Sequence, residues 1–428
     1  MSRRLFLPLL IGLWLLVAGL LLRHGGVLML AIPPILFACV SVIASLRFEL
    51  PDIRVTRTAS RHRMTEGEEA DIVVEVSIPF AHSFRGELSI IDDLPTGALQ
   101  VDGENQYLGD LVPGESARFA YRVRFARGVH RFPGVTATAW SRWGWTGAQS
   151  TLPHETIITA HPRTERLKTI SIHPRRTRAF AGPVRASRGG QGIDFFGSRT
   201  YVPGDDIRRI NWRAYARQGN LIVNEYELER LADVNIIVDA RLIAHYRLEH
   251  ETTFDHTLRA AGSLAQHFLH AGNIVGLLVY GDLIQWVFPG VGKPQECRIL
   301  DMLASSHAAE KEVFEDLANI PTRLFPAQSQ LVLISPLVDD ADVEVIAKLL
   351  DHGYSIILVT PHATTWEAKQ IGSGASAQVA ARMSNLRRSL FLDSLIRTGT
   401  SIVNWDVAEP LGYAVERDLG AARFRRHT

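Results

Sequence analysis

The sequence predicts a multi-domain protein with an N-terminal transmembrane helical hairpin, an antiparallel β-sandwich and a doubly wound α/β domain. Three observations carry this prediction. Residues 1–49 contain two long apolar runs, residues 50–163 alternate short β-prone segments with turns, and residues 232–410 alternate continuous apolar segments with amphipathic ones. A chain of 428 residues is long enough for two or three domains.

The amino-acid composition excludes some classes of function but does not identify the function. The 46 Lys and Arg residues nearly balance the 45 Asp and Glu residues, and the formal net charge is +1. We therefore expect no nucleic-acid partner from the overall charge. The chain has 2 cysteines, Cys39 and Cys297, which lie far apart. We therefore expect no disulfide framework, and the folded part of the protein is compatible with a reducing compartment.

The two N-terminal apolar runs predict membrane-spanning helices. Leu5 to Leu22 is an apolar run of about 18 residues and Val27 to Leu46 is a run of about 20, close to the length that crosses the hydrocarbon core. A polar break at residues 23–26 separates them. A cleaved signal peptide is the alternative for the first run, but the second run follows at once without a small-residue cleavage site between them.

The flanking charges predict the orientation of these spans. Arg3 and Arg4 precede the first span, whereas Arg47, Arg54 and Arg57 follow the second. Lys and Arg close to the ends of membrane spans stay in the cytoplasm, so both ends of the hairpin are expected inside. We therefore expect a multi-pass protein of the cell membrane, held in the lipid bilayer, with its soluble domains in the cytoplasm.

Residues 50–163 show the alternation of half-buried strands. Phe119, Tyr121, Val123 and Phe125 alternate with polar or small residues, and turn signals recur about every ten residues. Short strands at this spacing predict an antiparallel, immunoglobulin-like β-sandwich.

The densest pattern in the chain lies at residues 199–230. Pro203 to Asp206 form a turn signature, and either aspartate of this turn is expected to cap a helix from Ile207 to Gln218. Gly219 is the expected end of that helix. A strand from Leu221 to Glu227 is expected to follow.

This motif resembles the signature of the DUF58 family, which are membrane-associated proteins of bacteria and archaea. The resemblance implies a membrane anchor, a β-rich region, the motif and a von Willebrand factor A (vWA)-like domain, in that order along nearly the whole chain. It also implies a partner class, because members of the family are often linked with MoxR-type AAA+ ATPases. The motif residues expected to brace the vWA-like domain or to contact a partner are Tyr201, Gly204, Asp205, Asp206, Arg208, Arg209, Asn211, Trp212, Arg213 and Arg217.

Residues 164–231, which include the motif, are predicted to connect the sandwich to the last domain. The segment 161–188 is basic, and the glycine-rich residues 189–192 after it are expected to be flexible. Such a stretch can bind phosphate groups or anionic lipid headgroups. A solvated loop over the domain junction is the simpler interpretation of the same residues.

Residues 232–410 predict a doubly wound, mostly parallel sheet, because nearly continuous apolar strands alternate with amphipathic helices. After the motif, this region resembles the vWA-like domain of the family, and residues 411–428 are expected to form a C-terminal tail. The predicted strands are Val234–Val238, Ile274–Tyr280, Leu283–Phe288, Gln330–Ser335, Ser355–Thr360 and Thr400–Trp405. The predicted helices are Thr253–His270, Glu296–Leu317, Asp340–Leu350 and Ala377–Leu395.

The resemblance raises the question of a metal ion, because vWA domains often hold a divalent cation above the C-terminal ends of their strands. Asp239 occupies the first ligand position, but Arg241 and Ile243 stand at the two Ser positions and Pro336 stands where a further Asp is expected. Hard cations need several converging oxygen ligands. We therefore predict no metal site of the usual kind and expect Asp239 to pair with Arg241 or with another nearby cationic group. A variant site stays an alternative, built from Asp239, Asp339 and Asp340.

Three functional hypotheses follow. The preferred one is a membrane-anchored, non-enzymatic scaffold whose vWA-like domain binds a protein partner, such as a MoxR-type ATPase in assembly or stress response. The second is a membrane-associated hydrolase that uses the region of Asp205 and Asp206. The third is a binder of anionic lipid or nucleic acid through the basic segment 161–188. We assign no cofactor and no catalytic residue.

Overall fold

The computed structural model describes residues 6–47, 50–79, 86–111, 114–141, 147–168, 170, 172, 177–178, 184–241, 244–245, 251–310, 325–337, 340–371 and 375–425. The chain forms two compact units, Met1–His161 and Pro162–Thr428. Each unit has its own hydrophobic core.

The first unit begins with two apolar helices, α1 (Phe6–Leu21) and α2 (Gly25–Arg47). Within α2, Gly25–Ile43 is long and apolar enough to cross a membrane, although a signal sequence near an N-terminus has the same length and composition. The apolar part of α1, Leu7–Leu21, is shorter. The structure thus supports one candidate span, and the arrangement with two spans stays a prediction.

Small residues bring α1 and α2 close together. Gly12 of α1 faces Ile35 of α2, and a Cβ added at Gly19 would lie 2.9 Å from the backbone nitrogen of Leu28. Glycine at such a contact lets two helix backbones approach more closely than larger side chains allow. The two helices therefore pack directly against each other.

β-Sheets fill the rest of the first unit. Its strands are β1 (Arg54–Ala59), β2 (Arg63–Thr65), β3 (Glu69–Ser77), β4 (Gly86–Asp92), β5 (Ala98–Gly103), β6 (Gln106–Asp110), β7 (Ser116–Phe125), β8 (Gly128–Phe132), β9 (Val135–Ser141), β10 (Gly147–Leu152) and β11 (Thr156–His161). The strand orders are β1–β3–β7–β5, β10–β9–β4–β6 and β2–β11–β8. All neighbours are antiparallel except β11 and β2. The predicted antiparallel β-region is therefore present.

The alternation predicted along β7 is confirmed. Phe119, Tyr121, Val123 and Phe125 are buried, and the residues between them are exposed. Successive side chains of a strand point to opposite faces, so this pattern puts one face of β7 into the core of the first unit.

A buried ion pair lies within that core. Arg57 Nε donates to Asp92 Oδ2 at 2.8 Å, Arg57 Nη2 donates to Asp92 Oδ1, and both side chains are 0% exposed. Arg57 Nη1 also donates to the carbonyl oxygen of His154 at 2.7 Å and to Thr156 Oγ1 at 3.2 Å. Tyr121 Oη donates to Asp92 Oδ2 at 2.6 Å. Burial, and next the charge of Asp92, raise the pKa of Tyr121, so its hydroxyl stays a donor.

The second unit is an α/β region. Its strands are β12 (Thr177–Arg178), β13 (Val184–Thr200), β14 (Ile222–Asp239), β15 (Ile274–Tyr280), β16 (Ile284–Gly290), β17 (Gln330–Ile334), β18 (Ser355–His362) and β19 (Ser401–Asp406). Its helices are α3 (Trp212–Gln218), α4 (Thr253–His270), α5 (Gly292–Ser305), α6 (Asp340–Asp351), α7 (Thr364–Ile371), α8 (Ala375–Arg397) and α9 (Leu411–Arg425). The strand order is β16–β15–β14–β17–β18–β19, with β12 and β13 paired to β14.

Helices cover both faces of the parallel strands. On one face, Leu258 and Phe268 of α4 and Ala414 of α9 pack against the sheet. On the other face, Ile346 of α6 and Leu395 of α8 do so. Strands β15, β14, β17, β18 and β19 pair in parallel, and β16 is the antiparallel edge. Such a sheet buries both faces, which explains the continuous apolar strands in the sequence.

Two predicted features of the connector differ from the structure. The glycine-rich residues 189–192 were expected to be flexible, but they lie within strand β13 (Val184–Thr200), which is antiparallel to β14. Register shifts between Ala186 and Phe195 accommodate the glycine-rich residues as bulges. Strand β14 also passes residue 231 without a break, so the predicted boundary there is not a break in secondary structure.

Two further predictions fail at element ends. Helix α5 ends at Ser305 and not at Leu317, because Ser306 is extended with φ −75° and ψ 141°; residues 311–317 lie outside the described part. The predicted C-terminal tail is helix α9 as far as Arg425. It folds because Leu411, with the neighbouring Ala414 and Val415, is buried against the sheet.

Candidate functional site

The topology brings the candidate metal residues together at one edge of the sheet. Strand β14 ends at Asp239 and β17 ends at Ile334, and these neighbours are parallel. Because parallel strands present their carboxyl ends at the same edge, Asp239 lies beside Ser335, which follows β17. Asp342, in the first turn of α6, reaches the same place.

The carboxylate of Asp239 is buried and fully hydrogen-bonded. The backbone nitrogen and Nε of Arg241 donate to Asp239 Oδ1 at 3.1 and 2.9 Å. Arg241 Nη2 donates to Asp239 Oδ2 at 2.8 Å, and Ser335 Oγ donates to the same oxygen at 2.7 Å. Asp239 thus pairs with Arg241, which is one of the two kinds of partner considered from the sequence.

Arg241 bridges two carboxylates. Its Nη2 also donates to Asp342 Oδ2 at 3.1 Å, and the side chains of Arg241 and Asp342 are 2% and 1% exposed. Burial alone would lower the pKa of Arg241, but the hydrogen bonds and charges of Asp239 and Asp342 more than offset it and raise this pKa above its ordinary value. The guanidinium therefore stays charged inside the protein.

These residues do not fit a divalent cation. The guanidinium of Arg241 fills the space between Asp239 and Asp342 in which a cation would bind, and it brings its own positive charge. Within the described ranges, no group of three or more His, Cys, Asp or Glu residues could hold a metal ion. In the variant site considered from the sequence, Asp339 and the side chain of Asp340 lie outside the described part. The carboxylate that joins Asp239 is that of Asp342.

His245 holds the segment after β14 against α4. His245 Nε2 donates to the backbone oxygen of Asp239 at 2.6 Å, and Nδ1 accepts from Thr253 Oγ1 at 3.4 Å. Burial lowers the pKa of His245, so the ring is neutral near pH 7. Thr252 and Asp255 form a capping box that fixes the start of α4. The buried network therefore has a rigid support on this side.

Sequence reasoning missed Ser335, His245 and Asp342 as members of this site. A signal for Asp342 was available. It shares one face of α6 with Val345 and Leu349, at the spacing of buried helix positions. A charged residue on the apolar face of a helix indicates a buried partner of opposite charge. Ser335 and His245 carried no such signal, because their contacts depend on the tertiary fold.

The first half of the motif is not the single helix predicted for Ile207 to Gln218. Asp206 Oδ1 accepts from the backbone nitrogen of Arg208 at 3.0 Å and begins a 3-10 turn, Ile207–Arg209. Ile210 then takes up an extended conformation, with φ −64° and ψ 128°, and ends that turn. The predicted helix is interrupted there because Ile210 is buried and forms a β-bridge to the start of β14.

The second half of the motif is a separate helix, α3. Asn211 Oδ1 accepts from the backbone nitrogen of Ala214 at 3.0 Å and caps it, while Asn211 Nδ2 donates to Asn224 Oδ1 at 3.1 Å. Gly219 has φ 70° and ends the helix, as predicted. Asn211 thus caps α3 and also links this helix to β14 by a hydrogen bond.

The carboxylate of Asp205 is hydrogen-bonded within the turn that precedes the 3-10 turn and α3. Arg199 Nη1 and Nη2 donate to its two carboxylate oxygens, each at 2.7 Å, and the backbone nitrogen of Val202 donates to Asp205 Oδ2 at 2.9 Å. The hydrogen bond from Arg199, and next that from Val202, hold the pKa of Asp205 at about 2. A general acid or base needs a pKa near the operating pH, so this geometry favours a structural role.

The motif exposes aromatic and cationic side chains together. Ile207 and Trp212 are 65% and 58% exposed, and Tyr215 is 42% exposed with its ring 6.2 Å from that of Trp212. We call the following residues the motif surface: Ile207, Arg208, Trp212, Arg213, Tyr215 and Arg217. Of the predicted motif residues, Tyr201, Asp205, Arg209 and Asn211 are partly buried, and Gly204, Asp206, Arg208, Trp212, Arg213 and Arg217 are exposed.

The motif and the buried network are separate sites of the second unit. The motif precedes Ile222, where β14 begins, and the network starts at Asp239, where β14 ends. At about 3.3 Å per residue, these points are roughly 55 Å apart along the strand. A ligand at one site would not touch the other directly.

Replacing Asn211 with Ala should destabilise α3 by about 1 kcal/mol, because the helix loses its side-chain cap. Hydrogen exchange of the amides at 214–218 should accelerate about fivefold, as expected for that loss of local stability. The matched control makes the same change at Asn220, an exposed residue just beyond the end of α3, and should leave the exchange unchanged. Unaltered protection in the Asn211 variant would show that Asn211 is not what holds α3.

The geometry defines an α/β unit that carries the motif before its first parallel strand. Residues 197–363 match the family model described as "Protein of unknown function DUF58". The match supports the DUF58 family over the motif and much of the α/β region. No curated protein matches the chain significantly.

Solved structures give weak likenesses. A non-cellulosomal cohesin from Archaeoglobus fulgidus is 14% identical over 25% of this chain and 91% of its own, with a TM-score of 0.19. The sporulation control protein Spo0M from Bacillus subtilis is 14% identical over 26% and 50%, with a TM-score of 0.15. A GH20 exo-β-N-acetylglucosaminidase from Vibrio harveyi is 8% identical over 72% and 57%, with a TM-score of 0.18. These scores are too low to support an inference about fold or function.

Proposed function

We propose that this protein is a membrane-anchored, non-enzymatic scaffold whose second unit binds a protein partner through the motif surface. In this proposal α1 and α2 form a transmembrane hairpin, the sheets of the first unit form an immunoglobulin-like sandwich, and the second unit is a vWA-like domain. The basic residues that flank the apolar helices support a cytoplasmic location for both soluble parts in this proposal.

The observation that carries this proposal is the exposure of large apolar side chains within the motif. Ile207, Trp212 and Tyr215 are all more than 40% exposed on elements of only one or two turns. Each element begins at its own side-chain cap, which fixes the backbone that presents these exposed side chains. Trp and Tyr on a rigid surface are the side chains that contribute most at protein interfaces.

The charge of the motif surface indicates the chemistry of the partner. Arg208, Arg213 and Arg217 belong to the same short segment of the chain as the aromatic residues and are exposed. Arginine recognises carboxylates through paired hydrogen bonds, so an acidic patch on the partner would complement this surface. The resemblance to the DUF58 family suggests that the partner with this acidic patch is a MoxR-type AAA+ ATPase.

The hydrolase hypothesis finds less support in the same region. Asp205 is ion-paired with Arg199, and Asp206 caps a turn. Both carboxylates therefore make contacts that hold the motif together, and both oxygens of Asp205 are used in this way. Replacing both by Ala separates the two ideas, because loss of partner binding or of local order supports the scaffold, and an intact fold that loses turnover supports a hydrolase.

Replacing Trp212 and Tyr215 together with Ala should reduce recovery of a MoxR-type ATPase at least about tenfold, because each aromatic side chain supplies interface energy of about 1–2 kcal/mol or more. The measurement is affinity capture of the full tagged chain from solubilised membranes, with the ATPase quantified by mass spectrometry. Recovery should also fall with added salt, because arginines contribute to the contact.

Replacing Tyr413 with Ala is the matched control, since Tyr413 is a 61% exposed aromatic residue of α9 and lies outside the motif. Equal ATPase recovery with the control and with wild type is expected. The proposal is overturned if the wild-type chain recovers no ATPase, or if the Trp212 and Tyr215 variant recovers as much as wild type.

A further inference from the structure

Helix α8 has two apolar faces, and one of them packs on the sheet. Leu395 belongs to the core of the second unit and Leu392 is also buried. Arg388 on the same side donates through Nη2 to Thr360 Oγ1 at 2.6 Å and through Nε to Asn404 Oδ1 at 3.0 Å. At about 100° per residue, these three α8 side chains fall within a sector of roughly 60°.

The opposite face of α8 carries an exposed apolar stripe. It consists of Val379, Met383, Leu386 and Leu390, which are 55%, 68%, 61% and 63% exposed. The same helical geometry places them within another sector of roughly 60°, about 180° from the buried one. Single exposed apolar residues are ordinary, but a contiguous row on one helix marks an interaction site.

The spacing of the stripe indicates what it fits. The residues follow one another at intervals of four, three and four positions, which are the d, a, d and a positions of a heptad pattern. Such a seam packs against a second α-helix by inserting side chains between those of its partner. The core already covers the other face, so the stripe is the apolar face of α8 that stays open to a second helix.

The flanking charges argue against a second copy of this chain. Arg382 and Arg387 occupy the g and e positions beside the stripe, and both are exposed. In a parallel pair of identical helices Arg382 of one copy would face Arg387 of the other. In an antiparallel pair centred on the stripe they would lie near Ser389 and Ala380, and neither of these offers a carboxylate. Like charges at these positions oppose pairing, whereas acidic residues would complement them.

The shape of the stripe argues against a membrane surface. A helix that lies in the lipid interface buries a broad apolar face. The apolar stripe of α8 is narrow, because Arg382 and Arg387 lie on either side of it. We propose that the stripe of α8 docks an amphipathic α-helix of a protein partner, with apolar a and d positions and acidic e and g positions. This second interaction surface does not depend on the function assigned to the motif surface.

The test uses two designed helical peptides of about three heptads, both with Leu at positions a and d. The acidic peptide has Glu at e and g, and the basic peptide has Lys there. Each is labelled and titrated with the full chain in nanodiscs of zwitterionic lipid, and binding is followed by fluorescence anisotropy. The wild-type chain should bind the acidic peptide at least about tenfold more tightly than the basic one, because the flanking charges set partner choice.

Two double variants locate the binding. Replacing Met383 and Leu386 with Glu should weaken binding of the acidic peptide at least about tenfold, and replacing Arg382 and Arg387 with Glu should reverse the preference between the peptides. Both variants alter exposed positions, and circular dichroism should show an unchanged helix content. The matched control replaces two equally exposed leucines of the first unit with Glu, Leu99 and Leu108.

Several outcomes would overturn the proposal. They are equal affinity of wild type for the two peptides, a control variant that loses binding as much as the stripe variant, or charge reversal without a change of preference. Stripe-dependent association of the chain with itself would assign the surface to a second copy. Stripe-dependent binding to anionic phosphatidylglycerol vesicles, without preference between the peptides, would assign it to the membrane.

Discussion

Replacing Arg241 with Met should lower the free energy of unfolding of the second unit by about 3–5 kcal/mol, because removing one partner of a buried ion pair leaves the other uncompensated. In this variant the carboxylates of Asp239 and Asp342 would both lose their cationic partner. Their side chains are only 0% and 1% exposed, so water cannot replace it. The measurement is hydrogen exchange of the full chain under increasing denaturant, read on the amides of β14 and β17. Their protection reports the global stability of the unit.

The control for this prediction removes the charges together. A variant with Met at 241 and Asn at both 239 and 342 should recover a large part of the loss, because neutral side chains carry a smaller cost of burial than unpaired charges. The Arg241→Ser variant should gain stability from Mn²⁺, since carboxylates and hydroxyls would then converge on an open space. Wild type should not respond to Mn²⁺. A wild-type response, or a Met variant as stable as wild type, would show that Arg241 does not replace a cation.

The guanidinium of Arg241 cannot bind a ligand in the way that a metal ion at the same edge of the sheet would. A bound metal ion keeps coordination positions open for a ligand, but Arg241 uses its donors on Asp239 and Asp342 and is 2% exposed. The protein's own side chains therefore occupy the place above the strand ends where a metal ion and its ligand would bind. The partner binding that we propose then uses other surfaces, such as the exposed apolar side chains of the motif and of α8.

The regular part of the second unit was predictable from the sequence. Helix α4 and strand β15 have the predicted bounds, Thr253–His270 and Ile274–Tyr280. Both have strong local signals, a 3.6-residue apolar period with a capping box and a continuous apolar run. The pairing of Asp239 with Arg241 was also foreseeable, because two residues of opposite charge are close in sequence where a metal ligand set is broken.

The features that sequence reasoning missed depend on contacts between distant residues. Ile210 interrupts the predicted motif helix because it pairs with Val223 after the chain has turned back. Helix α9 was taken for a tail because its apolar residues are few and their burial depends on the sheet beneath them. Asp342 joins Arg241 from 101 positions away, which no local pattern specifies, although its place on the apolar face of α6 was a signal.

The buried pair of the first unit leads to a prediction of similar size. Replacing Asp92 with Asn should lower the free energy of unfolding of that unit by about 3–5 kcal/mol, because Arg57 would keep its charge in the core without a carboxylate. Its remaining partners are neutral oxygens, such as the carbonyl of His154 at 2.7 Å. Replacing Tyr121 with Phe removes one neutral donor to Asp92 and should cost about 1 kcal/mol. Denaturant-dependent hydrogen exchange of β3 and β7 measures both losses.

The first unit supplies its own matched control for the Asp92 variant. Asp71 also pairs with an arginine, since Arg122 Nε donates to Asp71 Oδ1 at 2.9 Å, but these side chains are 59% and 46% exposed. Replacing Asp71 with Asn should therefore change the stability of the unit far less than replacing Asp92 does, because water screens an exposed pair and solvates the remaining charge. Equal losses at Asp71 and Asp92 would mean that burial does not set the strength of the pair. In that case Arg57 would have to reach solvent or another carboxylate once Asp92 is neutral.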